Sequence, residues 1–131
     1  MLEPKPRVLI VDDDELVLEA LRRQLHSRFD VCTVTGGKEA LNKVVSEGPF
    51  AAVISDLRMP GMDGVTLLYL VRKAAPHTVR ILLSGKTDVA AASAAVNDAS
   101  VFLLLSKPCP TGTLLRALDA AVAEHRLATK G

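Results

Sequence analysis

Short apolar runs, each closed by a polar or charged residue, recur along this chain and alternate with longer stretches of helical period. We interpret 7–12, 30–35, 51–55, 79–84 and 101–106 as strands, and 14–27, 37–47, 64–75, 87–97 and 110–127 as helices. Strands that alternate with helices imply right-handed crossovers and parallel pairing. The pattern predicts an α/β fold, a doubly wound parallel sheet with helices on both faces.

Length and composition predict one domain with an aliphatic core. The chain has 131 residues, 49% hydrophobic and only 3% aromatic, which suits a single domain. We expect residues 1–131 to form that domain, with 1–6 as an N-terminal tail and 128–131 as a C-terminal tail or the start of a linker. Both a stand-alone domain and a piece of a longer protein remain open.

Charge and cysteine content set expectations about partners and compartment. The formal net charge of +1 gives no general electrostatic reason to bind nucleic acid or an anionic membrane, so we expect neither partner. No apolar stretch approaches the roughly 20 residues of a membrane helix. Cys32 and Cys109 match neither a disulfide framework nor a metal-ligand spacing, and a reduced, cytoplasmic protein is therefore expected.

Six polar residues follow or end four of the predicted strands. They are Asp12, Asp13, Asp14, Asp56, Ser84 and Lys107. Because the carboxyl ends of parallel strands lie at one edge of a sheet, we expect these side chains to meet there. Crowded carboxylates repel one another, and Mg²⁺, which prefers carboxylate and phosphate oxygens, would relieve the repulsion.

Each of these residues also has an ordinary structural interpretation. Acidic residues favour helix starts, serines at strand ends form local hydrogen bonds, and lysines are usually solvated. The joint pattern nevertheless favours a site for a divalent cation and a phosphoryl group.

Four motifs carry a resemblance to a known family. The acidic run after the first strand, the stretch from Asp56 to Gly64 (DLRMPGMDG), Ser84-Gly85 and Lys107-Pro108 together resemble the receiver domain of bacterial two-component response regulators. The resemblance extends from Arg7 to about Leu127. It implies a flavodoxin-like (βα)5 fold with strand order 2-1-3-4-5.

The resemblance implies a metal site. Asp12, Asp13 and Asp56 would bind Mg²⁺, with Mn²⁺ as an alternative, and the backbone carbonyl of Arg58 would be a further ligand.

It also implies catalytic roles for three side chains. Asp56 would be the phosphoacceptor, Lys107 would pair with the phosphoryl oxygens, and Ser84 would donate a hydrogen bond to one of them once Asp56 is modified. The Lys107-Pro108 pair resembles a cis peptide of the family, although an ordinary trans proline fits the sequence as well.

The chain departs from the family at one position. An aromatic residue usually stands three residues before the lysine, whereas this chain has Leu104. Phe102 lies two residues earlier and, by alternation, on the same face of the predicted strand. We expect the conformational change that couples Ser84 to this strand either to be smaller than is usual in the family or to use Leu104 and Phe102 differently.

Two basic residues flank the predicted site. Arg58 lies two residues after Asp56, and Lys86 lies two residues after Ser84. One interpretation is that both are solvated charges. The alternative hypothesis is that they alter the lifetime of the acyl phosphate through the attacking water.

The function implied by the resemblance is that of a phosphoacceptor in a phosphorelay. A sensor histidine kinase or phosphotransfer protein would supply the phosphoryl group, and an output domain, a partner protein or a second copy of the chain would bind the switched surface. The protein would not be an enzyme beyond self-phosphorylation from small donors and self-dephosphorylation.

Two other functions remain open. One is a receiver-like scaffold that binds partners without phosphorylation. The other is a haloacid-dehalogenase-like phosphatase with Asp12 as nucleophile and Asp14 as acid/base.

Overall fold

A computed structural model describes residues 4–85, 88, 90, 92, 93, 96 and 99–130. Its strands are β1 (Arg7–Val11), β2 (Asp30–Val34), β3 (Ala52–Asp56), β4 (Val79–Ser84) and β5 (Leu103–Ser106). The helices with complete bounds are α1 (Glu15–Leu25), α2 (Gly37–Glu47), α3 (Gly64–Ala74) and α4 (Thr111–Lys130). Strands and helices alternate as predicted from β1 to β4 and again from β5 to α4, while most of the segment between β4 and β5 lies outside the described residues.

The described strands form one parallel sheet in the order β2-β1-β3-β4-β5. This order confirms the predicted flavodoxin-like fold. The chain moves outward from β1 to β2 and then returns past β1 to β3. The sheet therefore has a topological switch point between β1 and β3, the place where such sheets bind ligands.

Side chains of the sheet alternate between two buried clusters, one on each face. The first cluster joins residues such as Ile10 and Ile81 to α1 and α4, through Leu18 and Leu118. The second joins residues such as Leu9 and Val53 to α2 and α3. Since both faces of the central strands are covered, their apolar runs are continuous rather than alternating.

Aspartates begin two of the helices next to the carboxyl edge of the sheet. The Asp14 side chain accepts a hydrogen bond from the backbone N–H of Leu16 at the start of α1, at 2.9 Å. Asp63 accepts from the N–H of Thr66 at 2.8 Å and is the N-cap of α3. Both caps satisfy backbone donors that the first helical turn leaves unpaired.

The element bounds differ from the predictions mainly near the C-terminus. The last helix begins one residue after Pro110 and continues to Lys130 rather than ending at 127, because its alanine-rich sequence favours the helix. β5 begins at Leu103, two residues later than predicted. The predicted helix at 87–97 falls largely outside the described residues. Those described in it or next to it are helical at Ala90, Ala92, Ser93, Val96 and Ala99.

The peptide bonds Gly48–Pro49 and Lys107–Pro108 are cis, and the second is the bond for which the sequence left both isomers open. Over the residues described, no helix combines the length and the apolar character needed to cross a membrane.

Candidate functional site

Four of the strands end at one edge of the sheet and bring the predicted polar residues there. Asp12 follows β1 directly and Asp56 is the last residue of β3, its neighbour in the sheet. Ser84 ends β4 opposite Ser106 of β5, and Lys107 comes one residue later. Parallel pairing aligns these strand ends, so residues far apart in sequence meet at the switch point.

Three carboxylates form the centre of the site. Asp12, Asp13 and Asp56 each offer an oxygen atom, and these atoms all lie within 4.8 Å of one another. Asp12 and Asp56 are buried, with 2% and 8% of their surface exposed, whereas Asp13 faces solvent. The Oδ1 atom of Asp12 accepts a hydrogen bond from the backbone N–H of Asp14 at 2.9 Å, which fixes its orientation.

Lys107 contributes an ammonium group to this cluster. Its Nζ atom lies 2.9 Å from Asp56 Oδ1 and 3.2 Å from Asp12 Oδ2. Within the described part of the site, one cation therefore faces three anions. The remaining negative charge favours a bound cation, and the all-oxygen donor set fits a hard one such as Mg²⁺.

Burial and neighbouring charges shift the titration of two of these groups. Burial raises the pKa of the Asp56 carboxyl above its ordinary range; Lys107 opposes this shift, and the charges of Asp12 and Asp13 add to it. Burial by itself would lower the pKa of Lys107, but the hydrogen bonds and charges of Asp56 and Asp12 outweigh it and raise that pKa. The ammonium form of Lys107 is therefore held firmly at neutral pH.

The Ser84 hydroxyl points back to its own loop. Ser84 is fully buried, and its Oγ donates to the carbonyl oxygen of Gly85 at 3.0 Å. The backbone N–H of Asp88 donates to the same carbonyl at 3.0 Å. Ser84 thus has a local partner and would have to leave it to reach a group on Asp56.

Gly64 approaches the backbone of Asp56 so closely that no side chain fits between them. A Cβ atom at Gly64 would lie 2.2 Å from the Asp56 carbonyl oxygen and 3.0 Å from Leu82 Cδ1. The N–H of Gly64 also donates to the carbonyl of Leu57 at 2.9 Å. None of the expectations from the sequence includes this contact, although the Asp63-Gly64 pair at a helix start is a signal that could have pointed to it.

Arg58, in the segment after β3, forms an ion pair with Asp88, in the segment after β4. Its Nη2 atom lies 2.8 Å from Asp88 Oδ1. No expectation from the sequence includes this partner, because the two residues lie 30 positions apart and no local pattern links them. Lys86, the other basic residue singled out in the sequence, lies outside the described residues.

Leu104 and Phe102 do not share an environment. Leu104 packs against the cluster shared with α2 and α3, whereas Phe102 is 39% exposed and lines a cleft with Glu124 and Ala128 of α4. Phe102 precedes the first residue of β5, so the expected alternation that placed both residues on one face does not extend to it. This corrects the expectation from the sequence.

The family described as "Response regulator receiver domain" matches residues 8–119 of the chain. The chain is 37% identical over 127 residues to the hydrogenase transcriptional regulatory protein HoxA of Cupriavidus necator, covering 97% of this chain and 26% of that protein. It is 36% identical over 123 residues to the transcriptional regulatory protein GlrR of Escherichia coli K12, covering 93% and 27%. The chain thus spans about a quarter of the length of these relatives.

A solved structure of a response regulator receiver domain protein from Clostridium thermocellum has the same fold. It superimposes with a TM-score of 0.87 at 26% identity, covering 95% of this chain and 99% of that one.

Proposed function

Because this chain belongs to the family of response regulator receiver domains, we propose that it is a switch controlled by phosphorylation of Asp56. Receiver domains act in signalling rather than as metabolic enzymes. The observation that carries the proposal is the position of the Lys107 ammonium, 2.9 Å from Asp56 and 3.2 Å from Asp12. It lies where a phosphoryl group on Asp56 would need a positive charge.

The proposed reaction is a phosphoryl transfer to the Asp56 carboxylate. An Asp56 carboxylate oxygen forms a bond to phosphorus while the bond from phosphorus to the leaving group breaks. The electron pair of the broken bond goes to that leaving group, which is acetate when acetyl phosphate is the donor and a histidine imidazole when a phosphohistidine is. The imidazole then takes up a proton.

The residues around Asp56 hold and neutralise the transferred group. Lys107 would contact the phosphoryl oxygens, and Ser84 would leave the Gly85 carbonyl to donate to one of them. Asp12, Asp13, Asp56 and the backbone carbonyl of Arg58 would hold Mg²⁺ or Mn²⁺. When bound, such an ion neutralises phosphoryl oxygens and orients them for in-line transfer.

The partners follow from the same proposal. A sensor histidine kinase or phosphotransfer protein would be the donor, and an output domain, a partner protein or a second copy of this chain would bind the switched surface. Three expectations stay predictions: that this domain does not bind nucleic acid directly, that it is a single domain over 1–131, and that it is cytoplasmic. The last was expected from the cysteine content, and Cys32 and Cys109 are both free thiols.

Intact-mass measurement after incubation with acetyl phosphate and Mg²⁺ tests this function. We expect the wild-type protein to gain one phosphoryl group and Asp56→Asn to gain none. If Asp12→Asn abolished the gain while Asp56→Asn retained it, the phosphatase-like chemistry would be favoured instead. Failure of the wild-type protein to gain mass, with Mg²⁺ binding established by titration, would favour a scaffold that works without phosphorylation.

A further inference from the structure

The Arg58–Asp88 ion pair joins two loops that border the acidic cluster. Arg58 belongs to the loop after Asp56, and Asp88 follows Ser84 by four residues. The side chain of Arg58 is 70% exposed and that of Asp88 is 21% exposed. A pair this accessible to water contributes little to stability, so the contact can break without unfolding its surroundings.

Asp88 is also tied to the segment that orients Ser84. Its backbone N–H and the Ser84 hydroxyl donate to the same acceptor, the carbonyl oxygen of Gly85. Through its carboxylate Asp88 holds Arg58, and through its backbone N–H it shares the Gly85 carbonyl with the Ser84 hydroxyl. One ion pair therefore connects the arginine two residues after Asp56 with the segment whose Gly85 carbonyl holds the Ser84 hydroxyl.

Resting on the phosphorylation proposed above, we infer that Arg58 and Asp88 form a latch that a phosphoryl group on Asp56 opens by taking Arg58 as its own partner. A guanidinium group binds two phosphoryl oxygens at once, with a geometry and charge that a single carboxylate contact does not match. Arg58 then leaves Asp88, and the Gly85 carbonyl that Asp88 and Ser84 share loses its tie to the loop after Asp56.

The latch gives the phosphoryl group a second means of acting on the segment that carries Ser84. Leu104 stands where receivers of this kind usually carry an aromatic side chain, so coupling through that strand lacks its usual ring. Exchange of the Arg58 partner needs no ring, because both ends of the ion pair already lie at the loops concerned. It acts on the same segment.

Competition between Asp88 and the phosphoryl group makes the latch testable. The probe is beryllofluoride, a phosphoryl mimic that binds an aspartate, titrated at constant Mg²⁺ into the wild-type protein and into Asp88→Asn. Without its carboxylate competitor, Arg58 is free for the mimic. We expect Asp88→Asn to bind it about fivefold more tightly, at the low end of coupling between protein sites.

The double variant separates the latch from simple charge removal. Loss of any acidic residue near the site would favour an anion, with or without Arg58. In the latch, however, the gain from Asp88→Asn requires Arg58 and disappears when Asp88→Asn is added to Arg58→Ala. Asp119→Asn is the matched control, since it breaks the Arg28–Asp119 surface ion pair outside the site, and we expect no change in affinity.

Each outcome bears on one proposal only. If wild type binds no beryllofluoride and gains no phosphoryl group, the proposed phosphorylation fails. The latch is wrong, while the phosphorylation stands, if wild type binds beryllofluoride and Asp88→Asn binds it with the same affinity. The latch is also wrong if Asp88→Asn raises the affinity by the same factor whether or not Arg58 is present. In the wild-type protein, the ¹⁵N resonance of Arg58 Nε should also shift on binding, and an unmoved resonance would contradict the exchange of partners.

Discussion

Substitution of Gly64 by alanine tests how tightly the position of Asp56 is set. Gly64 is the first residue of α3, and its N–H bonds to the carbonyl of Leu57. A methyl group there would lie 2.2 Å from the Asp56 carbonyl oxygen. That oxygen belongs to the backbone of β3, so no side-chain rotation can relieve the contact.

The size of the displacement follows from this distance. Opening the contact from 2.2 Å to 3.0 Å, the lower limit of real Cβ contacts, needs a movement of about 0.8 Å shared between α3 and the end of β3. Misplacement of a reacting group by about 1 Å can lower a rate by roughly 10²-fold. Overpacking of this kind typically costs about 1–3 kcal/mol of stability.

The assay is the rate of phosphoryl gain from acetyl phosphate, followed by intact mass under conditions where circular dichroism shows the variant folded. We expect Gly64→Ala to react between 10- and about 100-fold more slowly than wild type. Gly112→Ala is the matched control, because a Cβ there would meet the end of the Arg116 side chain at 3.4 Å rather than a backbone atom. It should react at the wild-type rate, and its stability should change by less than about 1 kcal/mol, because Gly112 lies in the first turn of α4 rather than in its middle.

Two results would refute this reasoning. A folded Gly64→Ala variant with wild-type stability and rate would mean that the close approach imposes nothing. A variant that loses stability but keeps its rate would mean that α3 moves and Asp56 does not, so the contact would not position the phosphoacceptor.

Further predictions concern the metal, the carboxylates, the core and a thiol. Mg²⁺ at ten times its Kd should stabilise wild type by about 1.4 kcal/mol, seen as a higher Tm, and an unchanged Tm would count against the metal site. Burial raises the pKa of Asp56, so the folded state binds the Asp56 proton more tightly than the unfolded state does. The ionised Asp56 carboxylate therefore lowers the free energy of unfolding, with full effect above the folded-state pKa of Asp56. Without Mg²⁺, Asp56→Asn should therefore raise Tm at pH 7, and this gain in Tm should shrink as the pH is lowered toward about 3.9, the pKa of an unfolded aspartate. A gain in Tm that stays constant with pH would contradict this. Leu68→Ala, at a fully buried position, should lower the free energy of unfolding in urea by about 2–5 kcal/mol, and a loss below 1 kcal/mol would be too small for this packing. Burial raises the pKa of the Cys109 thiol, so iodoacetamide should modify it more slowly than free cysteine at pH 7; an equal rate would contradict the raised pKa.

Periodicity and strand-end chemistry made much of the fold and site predictable. The apolar runs are long enough to be buried on both faces, so their number and alternation with helices indicated a parallel sheet. Parallel strands all end at one edge, and this geometry brought Asp12, Asp56 and Lys107 together in the prediction as in the structure.

Other features depended on tertiary contacts. The Arg58–Asp88 ion pair joins residues 30 positions apart, and side-chain reach between two loops has no periodic signature. Phe102 was assigned to the face of Leu104 by alternation, but alternation holds only within a strand, and β5 begins at Leu103. The start of that strand is set by pairing with β4.

The order of residues along the chain was thus enough to determine the class of fold, the edge at which the site forms and the chemical groups that gather there. Those properties follow from the hydrophobic period, which can be read along the chain, and from parallel pairing, which places the carboxyl ends of all the strands at one edge. The spacing of the groups, the direction of the Ser84 hydroxyl, the approach of Gly64 to Asp56 and the partner of Arg58 were decided only when the loops packed. Each depends on distances of a few ångströms between segments that the sequence does not align.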